Sequence, residues 1–127
     1  MTELPTILVI DDDANVRKLF VQFLSRESFE IDQAASGEEG IAKISQHAYS
    51  LIITDLQMQP MDGLAVLQAA KTKDPNLPVL IVTGYGSIPT AVHAMQMGAF
   101  EYLTKPLQSD TLLIKVNNAL ERRRLQL

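Results

Sequence analysis

Cysteine and tryptophan are both missing from the 127 residues. Without cysteine there is no disulfide framework and no thiolate metal site, which fits a reducing, cytoplasmic setting. A basic surplus is also lacking. The net charge is −4, and the one dense basic run, Arg122-Arg123-Arg124, stands at the chain's end, so direct nucleic-acid binding is not expected. No apolar run approaches the length of a membrane span, and MTELPTILVI does not have the layout of a signal peptide, so no membrane association is expected. Repeats and low-complexity tracts are absent too.

What remains is enough for one domain covering residues 1–127. A chain of this size buries about two-thirds of its unfolded surface and needs no covalent staple. Short apolar runs alternate regularly with helical patterns. The spacing predicts strands at Ile7–Ile10, Glu30–Ala34, Leu51–Thr54, Val79–Thr83 and Glu101–Leu103.

Between them, Val16, Leu19, Phe20, Phe23 and Leu24 line one face of a helix that begins near Ala14 and is capped by Asp13. A second helix starts at Ser36-Gly37-Glu38-Glu39 and turns Ile41 and Ile44 inward. A third runs from Leu64 to Lys73, ending before Asp74-Pro75 because the residue before proline resists helical dihedrals. The fourth spans Ile88 to Met97 and stops at Gly98. The fifth carries Leu112, Leu113, Val116, Ala119 and Leu120.

Strands alternating with helices predict an α/β fold with a parallel sheet covered on both faces. The first, third and fourth strands read as continuous apolar runs, while the second and fifth are more polar and belong at the edges. Right-handed crossovers then favour the order 2-1-3-4-5, the flavodoxin-like doubly wound (βα)5 arrangement.

Ligands of such sheets bind outside the carboxyl ends of the strands. Those ends carry Asp11 and Asp12 after the first strand, Asp55 after the third, Thr83 closing the fourth and Lys105 after the fifth. Two carboxylates ~4 Å apart repel by about 4 kcal/mol at an effective dielectric near 20, so the cluster calls for a cation. Oxygen-only ligands suit Mg²⁺. A cation, an amine and a hydroxyl around one carboxylate can stabilise a transferring phosphoryl group, with Asp55 as nucleophile.

ILVIDDD, LIITDLQMQPMDG, VLIVTGYGS and EYLTKP, in this order and spacing, resemble the receiver domains of two-component response regulators over nearly the whole chain. The resemblance implies that Asp55 accepts a phosphoryl group from a sensor histidine kinase. It implies that Asp11 and Asp12 hold Mg²⁺, Asp12 more directly, with Asp55 and the backbone carbonyl of Gln57 completing the protein's share. Thr83 and Lys105 would each bind a phosphoryl oxygen, and Lys105-Pro106 would be a cis peptide.

Thr83 and Tyr102 would act as switch residues, reshaping the face made by the fourth helix, fifth strand and fifth helix. Gln57 and Tyr85, two residues beyond Asp55 and Thr83, would tune the lifetime of the phosphoryl group. One departure is visible. Receivers usually read Met-Pro-Gly-Met-Asp-Gly after the nucleophile, whereas this chain has Met58-Gln59-Pro60-Met61-Asp62-Gly63, which implies the same loop with altered local dihedrals.

The stretch VTGYGSIPTAVHAMQMGAFEYLTKPL looks like the receivers of nitrogen-regulation-type, sigma-54-dependent transcription activators, which carry an ATPase and a DNA-binding domain downstream. Residues 121–127 would begin the linker helix toward them. A homodimer through the switch face or the C-terminal helix is a further expectation.

Two other functions fit parts of the chain. A haloacid-dehalogenase-like phosphatase would use Asp11 as nucleophile, but it leaves Asp55 unexplained. A degenerate, non-phosphorylated interaction module would have no need of the full residue set. Asp13 and Asp62-Gly63 read as helix-entry chemistry, His47 and His93 as surface or packing residues, and the arginine triplet as a solvated helix end that suits the dipole.

Overall fold

The computed structural model describes residues 4–84 and 86–126. Its elements alternate as the apolar pattern requires: β1 (Thr6–Ile10), α1 (Ala14–Leu24), β2 (Glu30–Ala34), α2 (Gly37–Gln46), β3 (Leu51–Thr54), α3 (Gly63–Lys73), β4 (Val79–Thr83), α4 (Ile88–Gln96), β5 (Glu101–Thr104) and α5 (Ser109–Gln126). All strand pairings are parallel, in the order β2-β1-β3-β4-β5. The polar strands β2 and β5 lie at the edges, where one side needs no ladder partner.

The period-two alternation of a strand sorts the core into two layers. Leu8, Ile10, Ile52, Val79 and Ile81 face one way, onto Ile44 of α2, Val66 and Leu67 of α3 and Ala94 of α4. Ile7, Val9, Leu51, Ile53, Leu80 and Val82 face the other, onto Phe20 and Leu24 of α1 and Leu112 and Val116 of α5. Burial of these branched side chains on both faces drives folding at roughly 25 cal/mol per Å² of apolar surface removed from water.

The helix entries follow from local chemistry. Asp13 accepts from Asn15 N–H at 2.9 Å and caps α1, as its position implied. Ser36 caps α2 by accepting from Glu39 N–H, and Asp62 caps α3 by accepting from Ala65 N–H. Gly98 has a φ of 102°, the left-handed conformation expected where α4 ends. Element ends shift by one residue at β1, α3, α4 and β5.

Two expectations are corrected. Leu19 is 43% exposed, not inward. The buried residues of α1 are Phe20 and Leu24, and at about 100° per residue Leu19 points roughly 120° away from the middle of that arc. The arginine triplet is not uniformly solvated either. Arg123 is tucked against the body with Nη1 3.0 Å from Asp74 Oδ2, and the Arg122 guanidinium lies 5.7 Å from the centre of the Phe100 ring. His47 and His93 are exposed, in keeping with a surface role.

Candidate functional site

The backbone ladder runs directly into the site. Asp11 N–H donates to Ala34 C=O, Asp55 N–H to Ile10 C=O and Lys105 N–H to Thr83 C=O, at 3.2, 3.0 and 2.9 Å. Each of these residues is therefore fixed by the strand that precedes it and by its neighbour. This is why acid, acid and amine from distant parts of the chain meet at one rim.

Asp11 is 1% exposed and Asp55 7%, while Asp12 faces solvent. Asp11, Asp12 and Asp55 each offer a carboxylate oxygen within 4.8 Å of the other two. Among the described residues this is the one group of three acids close enough to share a metal ion. Lys105 Nζ donates to Asp11 Oδ2 at 2.9 Å and to Asp55 Oδ2 at 3.3 Å. Thr83 is fully buried at the end of β4, in the strand between β3 and β5 that bear Asp55 and Lys105.

Burial raises the Asp11 pKa above its ordinary value, and the charge of Asp55 adds to the effect; Lys105 and the Asp13 N–H oppose it without cancelling it. Burial works against the charged form of Lys105 as well, yet its bonds to Asp11 and the charge of Asp55 outweigh that and hold its pKa above the ordinary value. Lys105 is thus a fixed ammonium. Three carboxylates thus face a single ammonium, and an all-oxygen donor set of that kind fits a hard divalent cation.

The sequence reading brought Asp11, Asp12, Asp55, Thr83 and Lys105 to this rim, and the structure places them there. Gln57 is exposed just beyond Asp55, its N–H 3.4 Å from Asp55 Oδ1. Lys105-Pro106 is a cis peptide, and so is Gln59-Pro60 in the divergent loop. Tyr102 is half-buried on β5 with its hydroxyl on α4. Tyr85 lies outside the described residues.

Arg17 and Thr90 escaped the sequence reading, and Gly63 was read only as part of a helix entry. Arg17 donates from Nη1 to Asp11 C=O at 2.7 Å, holding the acidic turn against α1. Gly63 donates to Leu56 C=O at 2.8 Å and packs on Asp55's own backbone. Thr90 bonds the Tyr102 hydroxyl at 3.0 Å. Thr90 and Tyr102 lie on different elements, while Arg17 and Gly63 reach back into the loops that follow β1 and β3, so no capping or periodic pattern marks these contacts.

The model of the response regulator receiver domain matches residues 7–117. The chain belongs to the response regulator receiver family. It is 39% identical over 98% of its length to the C4-dicarboxylate transport transcriptional regulatory protein DctD of Rhizobium meliloti (strain 1021). It is 39% identical over 91% of its length to the transcriptional regulatory protein GlrR of Escherichia coli (strain K12). It covers 27% and 26% of those two proteins, so it spans about a quarter of the curated relatives it matches.

Among solved structures, a receiver domain protein from Clostridium thermocellum superposes with a TM-score of 0.92 at 35% identity, covering 98% of this chain and all of that one. NtrX from Brucella abortus superposes at 0.90 with 36% identity, covering 98% of this receiver and 29% of NtrX. The order 2-1-3-4-5 is thus the receiver fold. Receiver domains are signalling domains of two-component systems, partner with histidine kinases and bind Mg²⁺ in an acidic pocket. Membership of the receiver family replaces the haloacid-dehalogenase reading. No described helix is long and apolar enough to cross a membrane.

Proposed function

We propose that Asp55 is the phosphoacceptor and that this receiver carries a signal from a sensor histidine kinase to an effector further along a longer chain. The observation that carries the reading is the pairing of a buried Asp55 with Lys105 at 3.3 Å, inside the acid cluster. An Asp55 oxygen attacks the phosphorus of the donor phosphohistidine. The P–N bond breaks, the imidazole leaves with its electron pair and takes up a proton, and an acyl phosphate forms.

Lys105 supplies a positive charge where the equatorial oxygens gain negative charge, and Thr83 provides a hydroxyl for another oxygen. Asp11 and Asp12, with Asp55 and the Gln57 carbonyl, would hold Mg²⁺, whose chemistry is to neutralise charge on the phosphoryl oxygens. Water attack later releases inorganic phosphate and restores the carboxylate. Gln57 and Tyr85 control the access of that water.

The output route is the movement of Thr83 and Tyr102, which reshapes α4, β5 and α5. Ile88, Val92 and Met95 leave an exposed apolar stripe at i, i+4 and i+7 on α4, and Ile88 is 81% exposed. That stripe supports self-association through this face in response to phosphorylation. The last turns of α5, from residue 121 onward, would begin a linker helix toward ATPase and DNA-binding domains of the sigma-54-dependent kind. The setting is cytoplasmic, and this domain itself leaves nucleic acid and membrane untouched.

Reductive trapping tests the assignment. Treatment with acetyl phosphate and Mg²⁺, then borohydride, should convert Asp55 to homoserine in the peptide map. Conversion at Asp11 with Asp55 unchanged would instead make Asp11 the nucleophile.

A further inference from the structure

Tyr102 is held by a hydroxyl of the neighbouring helix. Its Oη lies 3.0 Å from Thr90 Oγ1, in the first turn of α4. That turn is closed by a capping box: Ser87 N–H donates to Thr90 Oγ1 at 3.1 Å, and Thr90 N–H donates to Ser87 Oγ at 3.3 Å. The Thr90 hydroxyl also lies 3.0 Å from Ser87 C=O and 2.9 Å from Ser87 Oγ.

A threonine hydroxyl has one proton and two lone pairs. Ser87 N–H takes one lone pair, and Ser87 C=O, which can only accept, competes for the proton. Tyr102 Oη at 3.0 Å and Ser87 Oγ at 2.9 Å share what is left, and either hydroxyl of the Thr90–Tyr102 pair can donate. The backbone bonds of the cap do not involve Tyr102. Gly86 leaves room for the ring, since a Cβ there would fall 2.9 Å from Oη.

We propose that Thr90 is the positioning residue for Tyr102: its hydroxyl holds the half-buried ring at the α4 end and opposes its movement inward toward Thr83. This rests on the switch role of Tyr102 argued above. Removing the hydroxyl frees the ring, favours the deeper position and speeds uptake of the phosphoryl group.

The test uses the full 127-residue chain as wild type, Thr90→Val, Thr90→Ser, Tyr102→Phe and the Thr90→Val/Tyr102→Phe double variant. Side-chain NMR reads the Tyr102 rotamer populations without donor, and intact mass reads the initial phosphorylation rate with acetyl phosphate and Mg²⁺. In Thr90→Val the populations should shift and the rate rise about fivefold, the worth of one neutral hydrogen bond. Thr90→Ser, which keeps the hydroxyl, should behave as wild type, and Thr90→Val should add nothing in the Tyr102→Phe background. An unchanged or lower rate in Thr90→Val, or the same gain in the Tyr102→Phe background, overturns the proposal. If wild type takes up no phosphoryl group, the Asp55 reading fails separately. The rotamer populations alone then decide, with no shift in Thr90→Val counting against the positioning role.

Discussion

Gly63 packs directly on the carbonyl of Asp55: a Cβ at position 63 would fall 2.3 Å from that oxygen and 2.9 Å from Leu56 Cα. Both obstacles are backbone, so neither can swing aside. The residue that opens α3 therefore also fixes the peptide that carries the candidate nucleophile.

Gly63→Ala should accordingly be costly twice over. Overpacking of this kind destabilises by about 1–3 kcal/mol, and relief requires displacing the Asp55 peptide. Urea unfolding should show the lower midpoint, and the initial phosphorylation rate should fall in the fraction that remains folded. A Gly63→Ala protein with wild-type midpoint and rate would remove this contact from the account.

Removing Lys105 should separate metal binding from phosphoryl uptake. Lys105→Met leaves Asp11 and Asp55 without the ammonium that bonds both. The uncompensated carboxylates should then bind Mg²⁺ several-fold more tightly while phosphorylation from acetyl phosphate slows. Amide NMR titration with Mg²⁺ and intact mass read the two effects, and a weakened Mg²⁺ affinity would contradict the electrostatics.

The edge strand β2 carries an acid whose titration shapes stability. Burial works against the Asp32 carboxylate, but Tyr49 O–H at 2.7 Å, Lys43 Nζ at 2.9 Å and Gln33 N–H more than offset it and hold its pKa below the ordinary value. The folded chain thus binds this proton less readily than the unfolded one. The resulting stability is present above the unfolded carboxylate pKa and is lost as pH falls through the folded one. Tyr49→Phe should cost about 1 kcal/mol at neutral pH and flatten the acid limb of the stability curve between about pH 5 and pH 2. Denaturation midpoints across that range provide the check.

At the far end of α5, Asp74→Asn should lower stability by about 1 kcal/mol, since the Arg123 side chain it faces is mostly buried and the pair is less screened than a surface one. Arg124→Gln, at an exposed pair with Glu121, should change the thermal midpoint little. Equal losses from the two variants would mean that burial does not distinguish these pairs.

The site was legible in the sequence where a strand ends on a charge. Asp11 and Asp55 follow apolar runs and Lys105 follows the more polar β5, and a parallel sheet sends all such ends to one rim. Asp13 could be read as a cap because capping is local. The contacts of Thr90 and Arg17, and the packing of Gly63 on the Asp55 backbone, could not be read in the same way. Thr90 looks like any residue in a helix's first turn, and its partner Tyr102 belongs to another element. The reach of Arg17 to the Asp11 carbonyl depends on how α1 lies against the sheet. Leu19 failed for a related reason, because a helical wheel gives direction but not how wide an arc the neighbouring layer covers.

The central claim is that Asp55, held among Asp11, Asp12 and Lys105, accepts a phosphoryl group with the help of a divalent cation. Intact mass after acetyl phosphate treatment, with and without Mg²⁺, tests it most directly on wild type and Asp55→Asn. The account predicts one added phosphoryl group on wild type with Mg²⁺, and none on Asp55→Asn or on wild type stripped of the metal. Equal labelling of wild type and Asp55→Asn would contradict it.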